Sequence, residues 1–424
     1  MASGSGKPRR LQCRTTDVKT PGLPASAPKI HPSEARFYEL DILRGLAAMV
    51  VVIFHYKHFL IDSDYHFDYD HMPFHAVLLP VYIYGQFFVE LFFTLSGYVF
   101  FWLYSQMIAN RQTGPSAFFV ARFSRLYPLY FVTLILAALI QPVFHAIYGH
   151  DFIYTTNTVG NFLLNLFMVQ QWVPASTQSF NGPAWSISVE AFLYLIFFGL
   201  CFFRLNRPVV LLLVLIGGIL FKCLFPSNTN DFVRGIPSFF LGGLMYYAVL
   251  ALRKAHMTAW RQGVCWGLAA LLPILWLTAY LRGALLPVEQ GRTLPDLLLS
   301  VNSVLFILMP MTVLSFGLMQ NHWQDMRWLR WLSRDRLHSL AWIGDISYSL
   351  YLIHFPVQLV IMLCLAHWSY AERLPVVSNP LSLIAFMSMT CGLAWLSFHY
   401  FEMPMRRFLR GWLTRYLARV PTIH

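Results

Sequence analysis

Apolar runs of about twenty residues alternate with short polar stretches from residue 40 to residue 403. Such a run is what an α-helix needs to cross the ~30 Å hydrocarbon core of a bilayer. The pattern predicts spans at 40–60, 81–105, 124–147, 183–204, 208–226, 231–252, 263–282, 296–319, 345–367 and 381–403. One further apolar piece, 160–172, is too short to span and reads as re-entrant or interfacial. The expected fold is therefore an all-α integral membrane protein, a ten-helix bundle. No internal repeat of useful strength emerges, which argues against an inverted-repeat transporter.

Charge refines the topology. Lys and Arg gather on the cytosolic side of membrane proteins. The loop after the first span has none, whereas 106–125 has Arg111, Arg122 and Arg125. The loops at 148–160 and 173–182 again have none, and basic clusters follow the fourth, sixth, eighth and tenth full spans. This alternation places both termini in the cytosol if 160–172 does not cross. Lys222, Arg234, Arg282, Arg292 and Arg373 then fall on the wrong, outer side. Residues 1–36 read as a disordered basic cytosolic tail without a signal peptide. Residues 37–410 read as the membrane domain, and 411–424 as a basic cytosolic tail.

Composition agrees. The 424 residues are 57% hydrophobic and only 12% charged, about half the usual share for a soluble domain. The net charge of +12 fits cytosolic flanks of membrane spans better than nucleic-acid binding. The six cysteines are scattered through apolar runs, without CxxC or zinc spacing. They predict neither a disulfide framework nor a metal site.

The chemistry begins inside the first span. Arg44 and His55 are eleven residues apart, within ~20° of three whole helical turns, so they share a face at ~16 Å separation. Asp41 lies one turn before Arg44. Arg44 by itself is compatible with snorkelling to headgroups. A buried imidazole must find polar partners, and ionisable groups in spans usually face a polar cavity. The pair suits a long ligand with an anionic end at Arg44 and a reactive end at His55, as in acyl-coenzyme A.

"LRGLAAMVVVIFHY" (43–56) resembles the first-span signature of the acyltransferase-3 family of membrane acyltransferases, an arginine and a histidine separated by ten residues. The resemblance continues in "FFVELFFTLSGYVF" (87–100), "ARFSRLYPLYF" (121–131), "WSISVEAFLY" (185–194), "SFFLGGLMY" (238–246), "ISYSLYLIHFP" (346–356) and "FEMPMRRF" (401–408). Seven blocks in the family's order implies a ten-helix bundle. It also implies transfer of an acyl group, most often acetyl and sometimes succinyl, from cytosolic acyl-CoA to a hydroxyl of a sugar or lipid-linked glycan. The sixteen residues after the last block leave no room for the SGNH-hydrolase-like domain of some relatives. "GDIS" (344–347) is not that domain's serine motif, since its serine opens a span.

His55 is the expected catalytic residue, as general base on the acceptor hydroxyl or as acyl carrier. Arg44, Arg122 and Arg125 are expected to bind the donor's anionic part through paired guanidinium donors. Glu190 is expected to orient His55 or bind the sugar, or else to pair with Arg234. Trp185, Ser186, Glu90 and His354 are the remaining candidates for the substrate cavity, Glu90 standing where relatives often have aspartate. Ser96–Gly97 is expected to let two helices approach closely. The loop 62–75, rich in Asp, His, Tyr and Phe, admits a glycan platform, solvated surface or, less readily, a metal site; no metal is expected. The uncharged loop 171–185 also suits carbohydrate. The rivals are a transporter or flippase for a lipid-linked or acylated sugar, and a membrane acyltransferase of the His–Asn kind. The expected location is the bacterial inner membrane. The acceptor and oligomeric state are not legible.

Overall fold

The computed structural model describes residues 37–61, 67–173, 178–224, 232–254, 258–285, 301–319 and 334–419. The predicted tail 1–36 lies outside them, as do Asp62, Asp64, His66, Arg292, Arg327, Arg330 and residues 174–177. The compact unit begins at Tyr38.

The helices of this unit are α1 (Tyr38–His55), α2 (His75–Tyr84), α3 (Phe88–Leu103), α4 (Ser105–Ala109), α5 (Pro115–Tyr148), α6 (Val159–Leu166), α7 (Trp185–Phe202), α8 (Pro208–Leu224), α9 (Phe232–Lys254) and α10 (Thr258–Leu285). After them come α11 (Met309–Met319), α12 (Arg334–Leu340), α13 (Trp342–Asp345), α14 (Ser347–Cys364), α15 (Tyr370–Val377), α16 (Pro380–Ser397) and α17 (Met403–Arg419). The described residues form no strand beyond one isolated bridge, Ile61 to Phe67. Each predicted span is helical over its described part.

Among the described residues six stretches are long and apolar enough to cross a bilayer: His75–Leu103, Pro115–Tyr148, Gly182–Phe202, Arg234–Arg253, Ser347–Cys364 and Pro380–Leu417. Three more apolar helices are shorter there. α1 carries Glu39, Asp41 and Arg44 within eighteen residues, so its composition alone does not mark it as a span. α6 is eight residues long, ~12 Å, and cannot cross. The outward faces are apolar: Leu139 of α5 is 66% exposed, Val209 of α8 68% and Leu381 of α16 70%. Side chains of that kind in such number suit lipid, not water.

Two details differ from the sequence expectation. α5 starts at Pro115, with the proline at its first turn, so Arg122 and Arg125 lie two to three turns inside the helix. The last span does not stop at 403. It passes through a π turn, Phe398–Glu402, and continues as α17 to Arg419. The basic residues Arg406, Arg407, Arg410 and Arg415 are therefore helical.

Two apolar cores hold the bundle. One joins α3, α5, α7 and α9 through Phe93, Phe100, Phe101, Phe118, Phe197 and Phe239. The other gathers α1, α14 and α16 around Tyr56, Phe59, Phe355, Leu359 and Phe386. α14 bridges them, with Tyr351 and Leu352 in the first and Phe355 and Leu359 in the second.

α3 and α9 cross with their backbones in touch. A Cβ on Gly97 would run into the Phe239 carbonyl, and one on Gly242 into the Thr94 carbonyl. The small residues at 96–97 and 242–243 thus permit the close approach that the sequence suggests. Gly97→Leu is expected to destabilise the protein by at least about 3 kcal/mol, because backbone, not a flexible side chain, blocks the added atoms. Chemical unfolding in detergent checks this; a variant as stable as the parent contradicts the crossing.

α1 meets the α13–α14 junction equally closely, a Cβ on Gly45 meeting the Ile343 backbone. This contact sets α1 alongside α14, and the site is built between them.

Candidate active site between α1 and α14

Four polar contacts fix α1 to α13 and α14. Near the start of α1, Arg44 Nε donates to Ser347 Oγ at 3.0 Å and Nη2 donates to the Gly344 carbonyl at 2.7 Å. Asp41 holds the same guanidinium at 3.2 Å. At the end of α1, the His55 and His354 rings meet with Nδ1 of His55 3.2 Å from Nε2 of His354. Gln358, one turn on, donates to the His55 carbonyl at 2.7 Å. Both helices therefore run in the same direction, with an arginine end and a histidine end.

The partners of the histidines set their tautomers. His354 is fully buried, and its Nδ1 lies 3.3 Å from the Leu350 carbonyl, so Nδ1 carries the proton and Nε2 accepts. His55 Nδ1 lies 2.9 Å from the Val51 carbonyl as well as beside His354 Nε2, so it too is the N–H. That leaves His55 Nε2 as the nitrogen with the lone pair, the form a general base needs.

His58 extends the cluster. Its ring centroid is 5.0 Å from that of His55, and its Nδ1 is 3.2 Å from Gln358 Oε1. Phe67, Phe152, Tyr154 and Phe355 surround it. The Lys57 ammonium sits over the Phe54 ring at 3.8 Å. His58 and Gln358 were missed as site residues. Gln358 lies at i+4 from His354, a spacing that places it on the same helix face.

By its contact with His55 Nδ1, His354 would hold the His55 ring in place, a positioning role that substitution tests. His354→Leu is expected to slow turnover roughly 10- to 100-fold, the rate equivalent of losing one orienting hydrogen bond. His354→Gln, whose amide oxygen can still accept from His55 Nδ1–H, should recover most of it. Equal losses in the two variants would contradict the orienting role.

The arginine end gathers more charge than the sequence suggests. Arg122 donates to the Tyr104 hydroxyl at 2.5 Å and lies over the Phe100 and Tyr104 rings, while its buried Nε has no partner among the described residues. Arg125 lies in the field of Glu190 and Glu402. Glu402 is presented by the π turn, is 3% exposed, and accepts from Ser349 Oγ at 2.7 Å. It feels Arg125, Arg406 and Arg44 together, and Arg406 in turn faces Arg122 and Arg125. α17 packs along α5 and brings Arg406 there. In the sequence Glu402 stands out only as part of the last block, and Arg406 as part of that block and of the basic cytosolic flank.

Glu190 belongs to this end, which corrects the expectation that it orients His55. Tyr194 donates to its carboxylate, and Ser96 Oγ lies 3.5 Å from Oε1. The residue oriented against His55 is His354. Nor does Glu190 pair with Arg234. Arg234 binds Glu90 instead, Nη2 to Oε1 at 2.6 Å, with Trp185 stacked 5.1 Å from the guanidinium. Glu90, 2% exposed, is thus committed to a buried ion pair, whose breaking costs about 3–5 kcal/mol. Ser186 Oγ donates to the Tyr351 hydroxyl at 2.9 Å, and the Tyr351 ring lies 6.0 Å from that of His354. Ser186 therefore stands one side chain away from the histidine pair.

In the uncharged loop Asn181 Nδ2 donates to the Leu352 carbonyl at 3.0 Å, and just before the loop Gln170 Nε2 donates to that of Ala184 at 3.3 Å. In the acidic loop, burial pushes the Asp68 carboxyl up. Hydrogen bonds from the His71 ring, the Tyr370 hydroxyl and the His71 amide outweigh it and hold the group below its ordinary 3.8. Asp68 therefore stays charged near neutrality and ties this loop to α15 through Tyr370, at 3.0 Å. Among the described residues no three His, Cys, Asp or Glu side chains converge as a metal site would require.

Comparison with known proteins bears on what this geometry serves. The family profile described as "Acyltransferase domain" (acyltransferase-3) matches residues 37–399. Acyltransferase MdmB of Streptomyces mycarofaciens is 29% identical over 168 residues, 39% of this chain and 39% of that protein. Protein 2 in picA locus of Rhizobium radiobacter is 36% identical over 103 residues, 24% of this chain and 44% of that protein. The chain thus spans about two fifths of the length of these curated relatives. No solved structure matches it. The family match embraces both the arginine and the histidine ends of the α1–α14 pair and lends no support to a transporter. A chain matched over nearly its whole helical bundle, with a paired His55 and His354 at one end of α1 and α14 and arginines gathered at the other, belongs to the acyltransferase-3 family of membrane acyltransferases.

Proposed function

We propose that the protein transfers an acyl group, acetyl by preference, from acyl-CoA to a sugar hydroxyl of a glycan or glycolipid, with His55 at the reacting centre. The observation that carries this reading is the joining of the two ends by α14. The donor's diphosphate would lie against Arg122, Arg125 and Arg406 near Arg44, and its thioester would reach His55 along the ~16 Å track. The Nε of Arg122, without a partner among the described residues, supports an anion there. Arg44 contributes mainly by holding α1 on α14, since Ser347, Gly344 and Asp41 already engage it.

In the favoured route His55 Nε2 removes the acceptor hydroxyl proton as its oxygen attacks the thioester carbonyl. The new C–O ester bond forms, the C–S bond breaks, and the proton passes from the imidazolium to the departing thiolate, giving free coenzyme A. Positive-inside bias supports the arginine end in the cytosol and the histidine end toward the other face of a plasma membrane, bacterial by family habit. Purified protein given radiolabelled acetyl-CoA and candidate glycans tests the reading. Label in the glycan supports it; release of coenzyme A without any labelled acceptor across a panel of sugars and glycolipids overturns the sugar assignment.

A further inference from the structure

Arg234 and Arg373 both break the positive-inside pattern. Glu90 accounts for Arg234. Arg373, on the first turn of α15, has no such acid: it is 8% exposed, and among the described residues no carboxylate pairs with it. Nη2 donates to the Ile61 carbonyl at 2.7 Å, and Nε finds no partner among the described residues. A buried guanidinium left half-satisfied is costly unless something else completes its hydrogen bonding.

Arg373 lines a cavity of about 380 Å³. Tyr148, His150, Phe152, Trp368 and Tyr370 share its wall. Trp368 is 43% exposed, and the Arg373 guanidinium sits 5.3 Å from the Tyr370 ring centre. The wall is fixed by local chemistry. A capping box, Ser369 with Glu372, starts α15 and aims Arg373; Tyr148 donates to the Met362 carbonyl at 2.9 Å. The volume suits a small ligand, and aromatic rings flanking one cation suit a sugar face beside an oxyanion.

The cavity adjoins the histidine end. Phe152 lies in its wall and against His58, which contacts His55. Ile61, also in the wall, is six residues past His55, roughly 12 Å along a 3₁₀ rise. We infer that this cavity is a binding site for the negatively charged part of the acceptor, a sugar bearing a carboxylate or a phosphate, with Arg373 as its anion ligand. The charged group then sits on a part of the glycan remote from the hydroxyl that reacts. The word acceptor rests on the proposed function; the anionic-sugar site does not.

Binding is therefore measured without any acyl donor, by saturation-transfer NMR on the full-length protein in detergent with glucuronate, glucose 6-phosphate and glucose. At least one charged sugar should bind about tenfold or more tightly than glucose, and the one that does identifies carboxylate or phosphate. Arg373→Gln should bring the charged sugar down to the level of glucose. Trp368→Ala, at an exposed position, should weaken all three sugars while keeping their ratio. Equal binding of charged and neutral sugars, no binding of any, or a preference that survives Arg373→Gln overturns the site. The wild-type comparison decides even if Arg373→Gln does not fold. Loss of acyl transfer with this binding intact would sink the enzymatic reading and leave the site standing.

Discussion

His55→Ala should lower the turnover number by about 10²- to 10⁴-fold, the range supplied by a well-placed general base. The protein should still insert and fold. The substitution strands the buried Nε2 of His354, an unsatisfied acceptor costing about 1–3 kcal/mol, which is a fraction of a membrane bundle's stability. The donor's Michaelis constant should change little, because the arginine end is untouched. Turnover assays with acetyl-CoA beside a detergent unfolding curve separate the two effects. Near-normal turnover in a folded His55→Ala protein would remove His55 from the chemistry.

Arg122→Gln should do the reverse. The Michaelis constant for acyl-CoA should rise roughly 10- to 150-fold, the equivalent of losing a charge-assisted hydrogen bond worth about 1.5–3 kcal/mol. Turnover at saturating donor should stay within a few-fold of the parent. Arg122 is a cleaner probe than Arg44, whose guanidinium also ties α1 to Gly344 and Ser347. An unchanged Michaelis constant would assign the Arg122 cluster to orientation in the membrane alone. Because the contact is ionic, the donor's affinity should also weaken with added salt, and less so in the variant.

The helices and the Arg44–His55 pair were legible because a single period governs both. Apolar runs of bilayer length mark helices, and a spacing of eleven residues returns to the same face wherever the helix stays regular, as α1 does through His55. The residues that periodicity does not reveal lie where that period changes. After His55 the chain tightens into a 3₁₀ turn, Tyr56–Leu60, in which residues three apart eclipse, so His58 falls back beside His55. Before α17 the chain widens into a π turn, and Glu402 is carried inward to Ser349 rather than out with the basic flank. Pairing between helices was the other gap. Glu190 and Glu90 are each one acid in an apolar run, and nothing in the sequence says which arginine meets which carboxylate. The α3–α9 crossing decides it, bringing Arg234 to Glu90, while Phe100 stacked on Tyr194 sets the hydroxyl that Glu190 accepts.

That His55 and the arginine cluster serve opposite ends of one donor is tested most directly by a structure of the protein with a non-hydrolysable thioether analogue of acetyl-CoA. The account predicts the diphosphate against Arg122, Arg125 and Arg406, with the acetyl carbonyl carbon within reach of a hydroxyl held by His55 Nε2. Phosphates seated instead at the histidine end, or an acyl terminus that never enters the space between α1 and α14, would contradict it.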